Sequence, residues 1–404
     1  MYILVINSGS SSIKYQLFPK DSDQPLCSGL IERIGQDNGQ VTHEIFKAGA
    51  EQRIKLDQPV KDHEAGMQTL AGLLTRPDIA VIGSPDDIVT VGHRVVHGGE
   101  TLTATTLITD EVKSKIKALY PLAPLHNPGH IKGIEVAEKL FPSATQIAVF
   151  DTAFHQTVPE KAFRYAIPDK FYQEDGIRVY GFHGISHQYV ANEAMTWLDK
   201  PEAKLITIHL GNGCSMAAVN TGRCIDTSMG LTPLDGLVMG TRSGTIDPSV
   251  LLYLQQQKGY SAAQLTELLN KQSGMLALAG SNDMRDISKF YQENDPAAML
   301  AYEIYTYRIK KFIGAYAVAL NGLDAIVFTA GVGENDPLTR ELVCRDMDIL
   351  GIYIDSAKNS SKERGTRDLS ADDSRTHILV VPTNEELAIA RECRRLTAGD
   401  HRSA

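Results

Sequence analysis

Apolar runs separated by small polar turns predict an α/β fold for the first part of the chain. Residues 2–6 form an uninterrupted apolar run typical of a strand buried on both faces, and residues 13–18 alternate as a returning strand would. The glycine and serines between them predict a hairpin turn with uncovered backbone N–H groups, which suits phosphate oxygens but also occurs in ordinary serine-rich hairpins. The pattern that follows predicts a meander at 26–58, helices at 61–74, 110–119 and 129–140, and strands at 88–96 and 146–150.

The same pattern restarts in the second part of the chain. An apolar strand at 204–210, a small polar turn and a returning strand at 216–220 repeat the arrangement of the first strands. A helix at 296–320, capped by Asp295, and a buried strand at 324–329 follow. The remaining pattern predicts a solvated surface excursion at 356–375, a strand at 379–382 and a helix at 385–396. We infer two related α/β halves, each with phosphate-type turns at strand ends.

Composition narrows the class of protein. A length of 404 residues favours two domains, and 43% hydrophobic with 22% charged residues is typical of a soluble globular protein. The net charge of -9 argues against general nucleic-acid binding, which needs clustered lysine and arginine. Five widely spaced cysteines indicate reduced thiols. A start without a basic segment and the lack of a long apolar run argue against a signal peptide and a membrane span, so we expect a cytoplasmic protein without membrane partners.

Glycine-rich or serine-rich segments end several predicted strands, at 8–12, 211–213 and 331–335. Neither the Walker pattern nor Gly-x-Gly-x-x-Gly after a strand is present, so each segment alone is weak evidence. Together, in an α/β protein, they favour a nucleotide held between two domains over chance turns. Lys14, at the start of the second predicted strand, would add a positive charge to the first of these turns.

Arginines and histidines supply candidate anion ligands. Arg94 and Arg242 stand among small residues near strand ends, where a guanidinium can reach a bound anion, although a surface salt bridge is an equal alternative for either one alone. The spacing of His93 and His97 invites a zinc site, but the zincin pattern is absent and Arg94 would place a positive charge beside the metal. His183, between glycines, is a better candidate for a hydrogen-bond donor to a reacting group.

Two acids follow predicted strands and are candidates for a magnesium site. Asp151 comes directly after the strand at 146–150, and Glu385 follows the last strand. An acid in the first turn of a helix also complements the helix dipole, which is the alternative for Glu385. The spacing of Thr383 and Glu386 predicts a capping box, which would assign the dipole role to Glu386 and leave Glu385 unexplained, so a functional role and the helix dipole are equal alternatives for Glu385.

Several motifs, taken in order along nearly the whole chain, together resemble the acetate kinase family. They are Asn7-x-Gly-Ser-Ser-Ser-Ile-Lys14, Gly92-His-Arg-Val-Val-His-Gly-Gly99, Pro124-Leu-His-Asn-Pro128, Phe150-Asp-Thr-Ala-Phe-His155, Tyr180-Gly-Phe-His-Gly184, His209-Leu-Gly-Asn-Gly213, Gly240-Thr-Arg-Ser-Gly244 and Pro382-Thr-Asn-Glu-Glu386. The resemblance implies two duplicated ribonuclease-H-like domains of the actin-like ATPase type, with the active-site cleft between them. We expect the first domain at 1–151 plus 385–404 and the nucleotide-binding domain at 152–384.

The resemblance also implies an activity and its site residues. The activity would be reversible, magnesium-dependent phosphoryl transfer from ATP to acetate, with Mn²⁺ as a possible substitute metal, in a homodimer. Asn7 and Glu385 would belong to the metal site, and Arg94 would bind the carboxylate. The apolar pocket for the substrate methyl group would be Val96, Leu125, Phe182 and Pro233. The catalytic residues would be Asp151, His183 and Arg242. The ATP-binding residues would be Ser10, Ser12, Lys14, His209, Leu210, Gly211, Asn212, Gly213, Asp283, Met284, Arg285, Gly331, Val332, Gly333, Glu334 and Asn335.

Physical reasoning sharpens these expectations. Acetate is ionised at neutral pH and needs no general base, so we expect Asp151 to orient magnesium waters or the arginines. Ile185, Thr245 and Ala330 depart from the family pattern, and Ala330 adds one methyl group near the nucleotide. A propionate kinase of the same mechanism is the alternative, because one methylene is worth only about 1–3 kcal/mol in an apolar pocket. Two hypotheses from other functional classes compete with the kinase: a non-catalytic ATP-driven switch and a zinc hydrolase.

Overall fold

The chain folds into two units, which a computed structural model describes over residues 1–9, 11–47, 50–124 and 126–399. The first unit is Met1–Ala153 together with the C-terminal residues from Asn384, and the second is Phe154–Thr383. These boundaries lie within two residues of the predicted ones. Thr152 stays with the first unit because its hydroxyl accepts a hydrogen bond from the Gly98 backbone, at 3.0 Å.

The first unit is built on a mixed sheet with the strand order β5-β4-β3-β2-β1-β6-β8-β7. β1 pairs antiparallel with β2 and parallel with β6, and β6 pairs parallel with β8. This confirms the predicted hairpin, meander and later strands. The strands are β1 (Tyr2–Ser8), β2 (Ser12–Pro19), β3 (Cys27–Glu32), β4 (Gln40–Lys47), β5 (Ala50–Asp57), β6 (Ile88–Val95), β7 (Thr106–Leu107) and β8 (Thr145–Phe150).

Helices cover this sheet and bury its apolar residues. Leu4 and Ile6 on β1 lie in a core that includes Met67 and Leu70 of the first helix, so the uninterrupted apolar run reflects burial. A fully buried leucine or isoleucine contributes roughly 1.5–3 kcal/mol, which makes this core the main stabilising element of the unit. The helices are α1 (His63–Thr75), α2 (Asp110–Ala118), α3 (Asn127–Leu140) and α15 (Glu385–Thr397), with a 3-10 turn at Pro85–Asp87.

The sheet of the second unit repeats the topology of the first. Its order is β11-β10-β9-β12-β14-β13, with β9 antiparallel to β10 and parallel to β12. The strands β9, β10, β11, β12 and β14 therefore correspond to β1, β2, β3, β6 and β8 in order and direction. This confirms the predicted duplication. The strands are β9 (Lys204–Leu210), β10 (Cys214–Asn220), β11 (Arg223–Thr227), β12 (Ala325–Thr329), β13 (Arg367–Asp368) and β14 (His377–Val380).

The helices of the second unit include the long one predicted from its caps. Asp295 accepts a hydrogen bond from the Ala298 backbone at 2.8 Å, Pro296 begins the helix, and Asn321 ends it in a left-handed conformation. The helices are α4 (Glu160–Phe163), α5 (Lys170–Asp175), α6 (Gly184–Trp197), α7 (Pro248–Lys258), α8 (Ala262–Lys271), α9 (Gly274–Ala279), α10 (Met284–Gln292), α11 (Pro296–Leu320), α12 (Ala330–Asn335), α13 (Pro337–Cys344) and α14 (Ser356–Ser360), with 3-10 turns at Phe154–Thr157 and Asp348–Leu350.

The interpretation of residues 356–375 as a solvated excursion was wrong in part. The segment contains α14 and β13, and it buries Asn359 and Leu369. Asn359 accepts a hydrogen bond from the Arg340 Nε at 2.8 Å, so a polar side chain anchors this segment inside the unit. A polar pattern alone could not reveal that partner.

The described residues contain no helix long and apolar enough to cross a bilayer. The five cysteines are buried free thiols.

Candidate active site

The first unit gathers polar side chains at the C-terminal edge of its parallel strands. Asn7 lies in β1, Arg94 lies in β6, and Asp151 directly follows β8. Because these three strands are parallel neighbours, their C-terminal ends meet at one edge, where α/β sheets place their sites. Glu385 joins them because it begins α15, which packs on β1 and β6.

Arg94 is the centre of this cluster. Its Nε donates to Asp151 Oδ1 at 3.2 Å and its Nη2 donates to Asp151 Oδ2, while its Nη1 donates to Asn7 Oδ1 at 3.3 Å. A Glu385 carboxylate oxygen lies 3.5 Å from the Arg94 Nε. A guanidinium carries five N–H groups, so these three donated bonds leave two for a ligand.

Burial and neighbouring charges shift the pKa values of Arg94 and Asp151. Burial raises the pKa of Asp151 to about 6, Arg94 opposes this shift, and Glu385 adds to it. Burial alone would lower the pKa of Arg94, but Asp151 and Glu385 raise it overall. The pair is therefore ionised at neutral pH, and Asp151 orients the guanidinium.

Lys14 has a partner that the sequence reasoning assigned elsewhere. The Lys14 Nζ lies 2.7 Å from Glu386 Oε1, in an ion pair whose lysine side chain is half-exposed. The predicted capping box of Thr383 and Glu386 was wrong, because Asn384 caps α15 and accepts from the Leu387 backbone at 3.0 Å. Glu386 is thereby available to hold Lys14 beside the hairpin turn.

Of the other predicted site residues in the first unit, the structure describes Ser12 and Val96. Ser12 begins β2, and its carbonyl accepts from the Gly9 backbone at 2.8 Å, which closes the hairpin turn. Val96 is buried just after β6. Ser10 and Leu125 lie outside the described residues.

The histidines of the predicted zinc alternative are used within the fold. The His93 Nε2 pairs with Gln146 Oε1 at 2.8 Å, and the His97 Nδ1 accepts from the Gly99 backbone at 3.0 Å. Burial lowers the pKa of each ring to about 4. Both rings are therefore neutral parts of the interior at physiological pH.

In the second unit, the backbone holds His183 in an uncommon conformation. His183 has a φ of 58° and immediately precedes α6, and Gly181 nearby has a φ of 72°. The His155 Nε2 bonds the Phe182 carbonyl at 3.0 Å, and its ring would lie only 2.7 Å from a Cβ at Gly181. Close packing against the His155 ring therefore requires a glycine at position 181. The hydrogen bond from this buried ring also holds the loop that carries His183.

Two imidazoles lie side by side at the end of β9. The His183 and His209 rings stack with centroids 4.3 Å apart. The His183 Nδ1 pairs with Ser215 Oγ at 2.9 Å, and the His209 Nδ1 pairs with Ser186 Oγ at 2.9 Å. Sequence reasoning missed both serines, because nothing local distinguishes them from other small residues in a buried strand or helix.

Arg242 lies beside this pair without a counter-ion. Its Nη1 donates to the Pro233 carbonyl at 3.1 Å, and no described carboxylate lies within ion-pair distance of it. Burial lowers its pKa. A Cβ built on Gly213 would meet Arg242 Nη1 at 3.5 Å and His183 Cε1 at 3.4 Å, so both cationic and imidazole donors face the glycine turn.

A cavity of about 360 Å³ lies on the meander of the first unit, and a larger cavity of about 900 Å³ lies in the second unit. The larger one is the size of a nucleotide pocket. Its lining includes the predicted residues Gly211, Asn212, Asp283, Met284, Arg285, Gly331, Val332 and Asn335. It also includes Gly240, Met275, Asn282, Ser288, Gln292, Tyr305, Asp336, Pro337 and Leu338, which were not predicted.

Other predicted nucleotide residues have partners within the unit. Leu210 is buried, and Gly333 packs against Phe328. The Glu334 carboxylate accepts from the Thr383 backbone at 3.1 Å. Asp283 caps α10 and pairs with the exposed Arg285, which holds the pKa of Asp283 at about 2.

The predicted glycine turn at 331–335 is instead the short helix α12. Ala330 begins it with a φ of 64°, a conformation in which an alanine is strained and a glycine is not. The buried Arg340 donates to the Gly333 carbonyl at 2.9 Å, and Arg367 donates to the Glu334 carbonyl at 3.0 Å. These arginines, one in the next helix and one 33 residues away, satisfy carbonyls that a short helix leaves open.

Comparison with known proteins places these features in a family. The chain matches the model of the Acetokinase family over residues 2–391. An acetate kinase of Nitratidesulfovibrio vulgaris is 51% identical over 394 residues, covering 97% of this chain and 98% of the relative. An acetate kinase of Flavobacterium johnsoniae is 52% identical over 392 residues, covering 97% and 98%.

Solved structures agree with the sequence comparison. Acetate kinase of Porphyromonas gingivalis has a TM-score of 0.91 at 41% identity, covering 98% of this chain and 99% of that one. A propionate kinase of Francisella tularensis has a TM-score of 0.90 at 44% identity, with the same coverage. The chain therefore belongs to the acetokinase family.

Proposed function

We propose that this chain catalyses the reversible transfer of the γ-phosphoryl group of ATP to acetate, giving acetyl phosphate and ADP. The observation that carries the proposal is the Arg242 guanidinium, which faces Gly213 beside His183 with no described carboxylate as partner. A guanidinium without a counter-ion suits a phosphoryl group whose negative charge is spread over its outer oxygens. Family membership and the cavity at Gly211 and Asn212 support the same reaction.

The proposed chemistry is a direct in-line displacement. An acetate oxygen forms the new bond to the γ-phosphorus as the bond to the β,γ-bridging oxygen breaks, and the bridging oxygen leaves with ADP. Arg94 holds the acetate carboxylate through the two N–H groups that Asp151 and Asn7 do not use. Arg242 and His183 donate to the oxygens of the transferring phosphoryl group, so catalysis rests on positioning and charge stabilisation.

The first unit offers hard oxygen donors for a magnesium ion. The Asn7 amide oxygen and the Glu385 carboxylate lie around Arg94, and Glu385 is partly exposed, as a ligand that shares its metal with water would be. We assign Asn7 and Glu385 to this ion, with Mn²⁺ as a substitute. When bound, the ion would neutralise phosphate charge.

The cellular location and the oligomeric state are proposed from the family resemblance. We expect a cytoplasmic homodimer, and the exposed Leu300, Tyr307 and Val318 on α11 are apolar surface that a second copy could cover. Sedimentation of the purified chain at the mass of one copy would contradict the dimer.

The glycine at position 240 is expected to be required for nucleotide binding. A Cβ at Gly240 would lie 2.0 Å from Asn212 Oδ1, so Gly240→Ala must displace a side chain that lines the large cavity. We expect the ATP KM to rise at least about tenfold, the cost of losing roughly one well-made contact. Gly314→Ala is the matched control, because nothing lies within 4 Å of its added methyl group. An unchanged ATP KM in Gly240→Ala would remove Asn212 from the nucleotide site.

Val96 is expected to decide between acetate and propionate. Its side chain is buried after the strand that carries Arg94, so Val96→Ala frees the space of two methyl groups near the proposed carboxylate site. We expect the ratio of kcat/KM for propionate to that for acetate to rise about tenfold or more. Equal loss with both acids would place the substrate methyl group elsewhere.

The proposal as a whole is tested by trapping the product. The purified chain with Mg-ATP is offered acetate, propionate or butyrate, and the acyl phosphate is captured with hydroxylamine. We expect most hydroxamate from acetate and less from propionate, which is the second candidate substrate because a propionate kinase is similar to this chain. Hydroxamate from none of the acids would rule out the kinase, and a preference for propionate would favour the second candidate.

A further inference from the structure

A row of buried hydrogen bonds runs behind His183. Thr207 Oγ1 lies 2.7 Å from His187 Nδ1, His187 Nε2 lies 2.7 Å from Ser215 Oγ, and Ser215 Oγ lies 2.9 Å from His183 Nδ1. Thr207, His187 and Ser215 are each fully buried. We call this row the Thr207 chain.

Two proton arrangements give every hydrogen of the Thr207 chain an acceptor. The bonds that the structure describes for Ser215 Oγ are to two ring nitrogens, so its one hydrogen is satisfied when Ser215 donates to one nitrogen and accepts from the other. Burial lowers the pKa of His187 well below its usual value, so this ring is neutral and carries its proton on one nitrogen. Once the direction is chosen at Thr207, every later bond follows.

The distances at Thr207 choose the direction. Its hydroxyl could donate to His187 Nδ1 at 2.7 Å or to the Ala217 carbonyl at 3.4 Å. Both contacts are hydrogen bonds, but 3.4 Å is long for a hydroxyl donor and 2.7 Å is ideal, so the shorter bond takes the hydrogen and Thr207 donates to His187. His187 then donates from Nε2 to Ser215, and Ser215 donates to His183 Nδ1.

We propose that Thr207, His187 and Ser215 are positioning residues that place the proton of the singly protonated His183 ring on Nε2. The His183 Nε2 faces the glycine turn, because it lies 3.5 Å from a Cβ built on Gly213. The ring therefore presents an N–H donor, not a lone pair, to any anion bound there. The consequence for catalysis rests on the proposed phosphoryl transfer, whereas the position of the proton does not.

The proton position is tested directly by NMR. The full chain, labelled with ¹⁵N in its histidine rings, is measured at neutral pH, and His183→Asn assigns the signals of residue 183. We expect the Nε2–H pattern for His183 in the native chain. Finding the Nδ1–H pattern or a doubly protonated ring would overturn the proposal.

A matched pair of variants tests whether the Thr207 chain sets this proton. Thr207→Val removes the first donor at nearly constant volume and touches neither His183 nor a proposed ligand, so we expect the Nε2–H fraction at His183 to fall. Thr306→Val is the control, because this buried hydroxyl bonds the Tyr302 carbonyl within α11. An unchanged His183 pattern in Thr207→Val would contradict the assignment.

Kinetics separate this inference from the proposed function. We expect Ser215→Ala to lower kcat for acetyl phosphate formation about 10- to 100-fold, with KM for acetate and ATP within about twofold, and Ser215→Thr to restore it. A variant that loses the Nε2–H pattern but keeps full kcat would uphold the positioning and refute the proposed role of His183. One that keeps the pattern and loses kcat would show that Ser215 acts otherwise.

Discussion

Arg242→Ala is expected to lower kcat by about three orders of magnitude or more while the acetate KM changes little. Among the described residues, the native guanidinium has only the Pro233 carbonyl and the Met239 sulfur as partners, so its charge is available to a ligand. Negative charge on the phosphoryl oxygens is best met in the transition state by a donor that is already in place. An interaction made mainly in the transition state is lost from kcat and not from KM.

Steady-state kinetics with Mg-ATP and varied acetate measure this effect. Arg345→Ala is the control, since that exposed arginine of the same unit pairs with Glu341 at 3.1 Å. Arg242→Lys should recover only part of the rate, because an ammonium keeps the charge but not the planar fork. A large rise in the acetate KM with little loss of kcat would move Arg242 to ground-state binding of the carboxylate.

The second large effect is a loss of stability in mild acid. Burial lowers to about 4 the pKa values of His43, His93, His97 and His155. Each ring is neutral in the folded chain, whereas the unfolded chain binds a proton near pH 6.5. The contribution of these four histidines to the free energy of unfolding is therefore present above pH 6.5 and is lost as the pH falls from 6.5 toward 4. When the pH falls from 7 to 5, each of these histidines lowers the free energy of unfolding by about 2 kcal/mol.

Two carboxyl groups oppose this trend but do not cancel it. Burial raises the pKa values of Asp151 and Asp226 to about 6, so the folded chain takes up their protons before the unfolded chain does. Each offsets about 1 kcal/mol over the same interval. Since a domain is stable by only about 5–15 kcal/mol, the net loss should appear as a sharp fall in the denaturant midpoint.

A histidine far from the proposed site makes the test specific. The His43 ring accepts from or donates to the Tyr15 hydroxyl at 2.7 Å inside the first unit. His43→Gln keeps a polar partner but removes the titration, so urea unfolding at pH 7 and 5 should show a smaller loss than in the native chain. Tyr15→Phe removes the same hydrogen bond and leaves the ring, and it should lower stability at both pH values. Identical pH dependence in His43→Gln and the native chain would contradict the assignment.

Local chemistry was sufficient to predict many elements. Asp295 and Pro296 mark the start of α11 because a carboxylate satisfies an open backbone N–H and a proline tolerates the first turn. The expectation that Asp151 orients magnesium waters or the arginines came instead from the family resemblance and the charge of acetate, and the structure places Asp151 beside Arg94.

Partners distant in sequence could not be predicted in this way. Lys14 was assigned to phosphate and Glu386 to a helix cap, yet the two are ion-paired 2.7 Å apart, because β2 and α15 meet only in the folded unit. The residues around α12 gave no sign of Arg367, whose guanidinium donates to the Glu334 carbonyl from 33 residues away. A hydrogen bond between such residues depends on which elements pack together.

The amino-acid sequence by itself determined the duplicated α/β pattern, the family and the types of residue available at each strand end, because these follow from apolar periodicity and short motifs. Only the tertiary structure decided which donors are already used. It pairs Arg94 with Asp151 and leaves Arg242 without a described carboxylate. It also connects His183 to Thr207 through Ser215 and His187. The physical reason is that charge and proton position depend on burial and on neighbours within hydrogen-bond distance, which chain order does not specify.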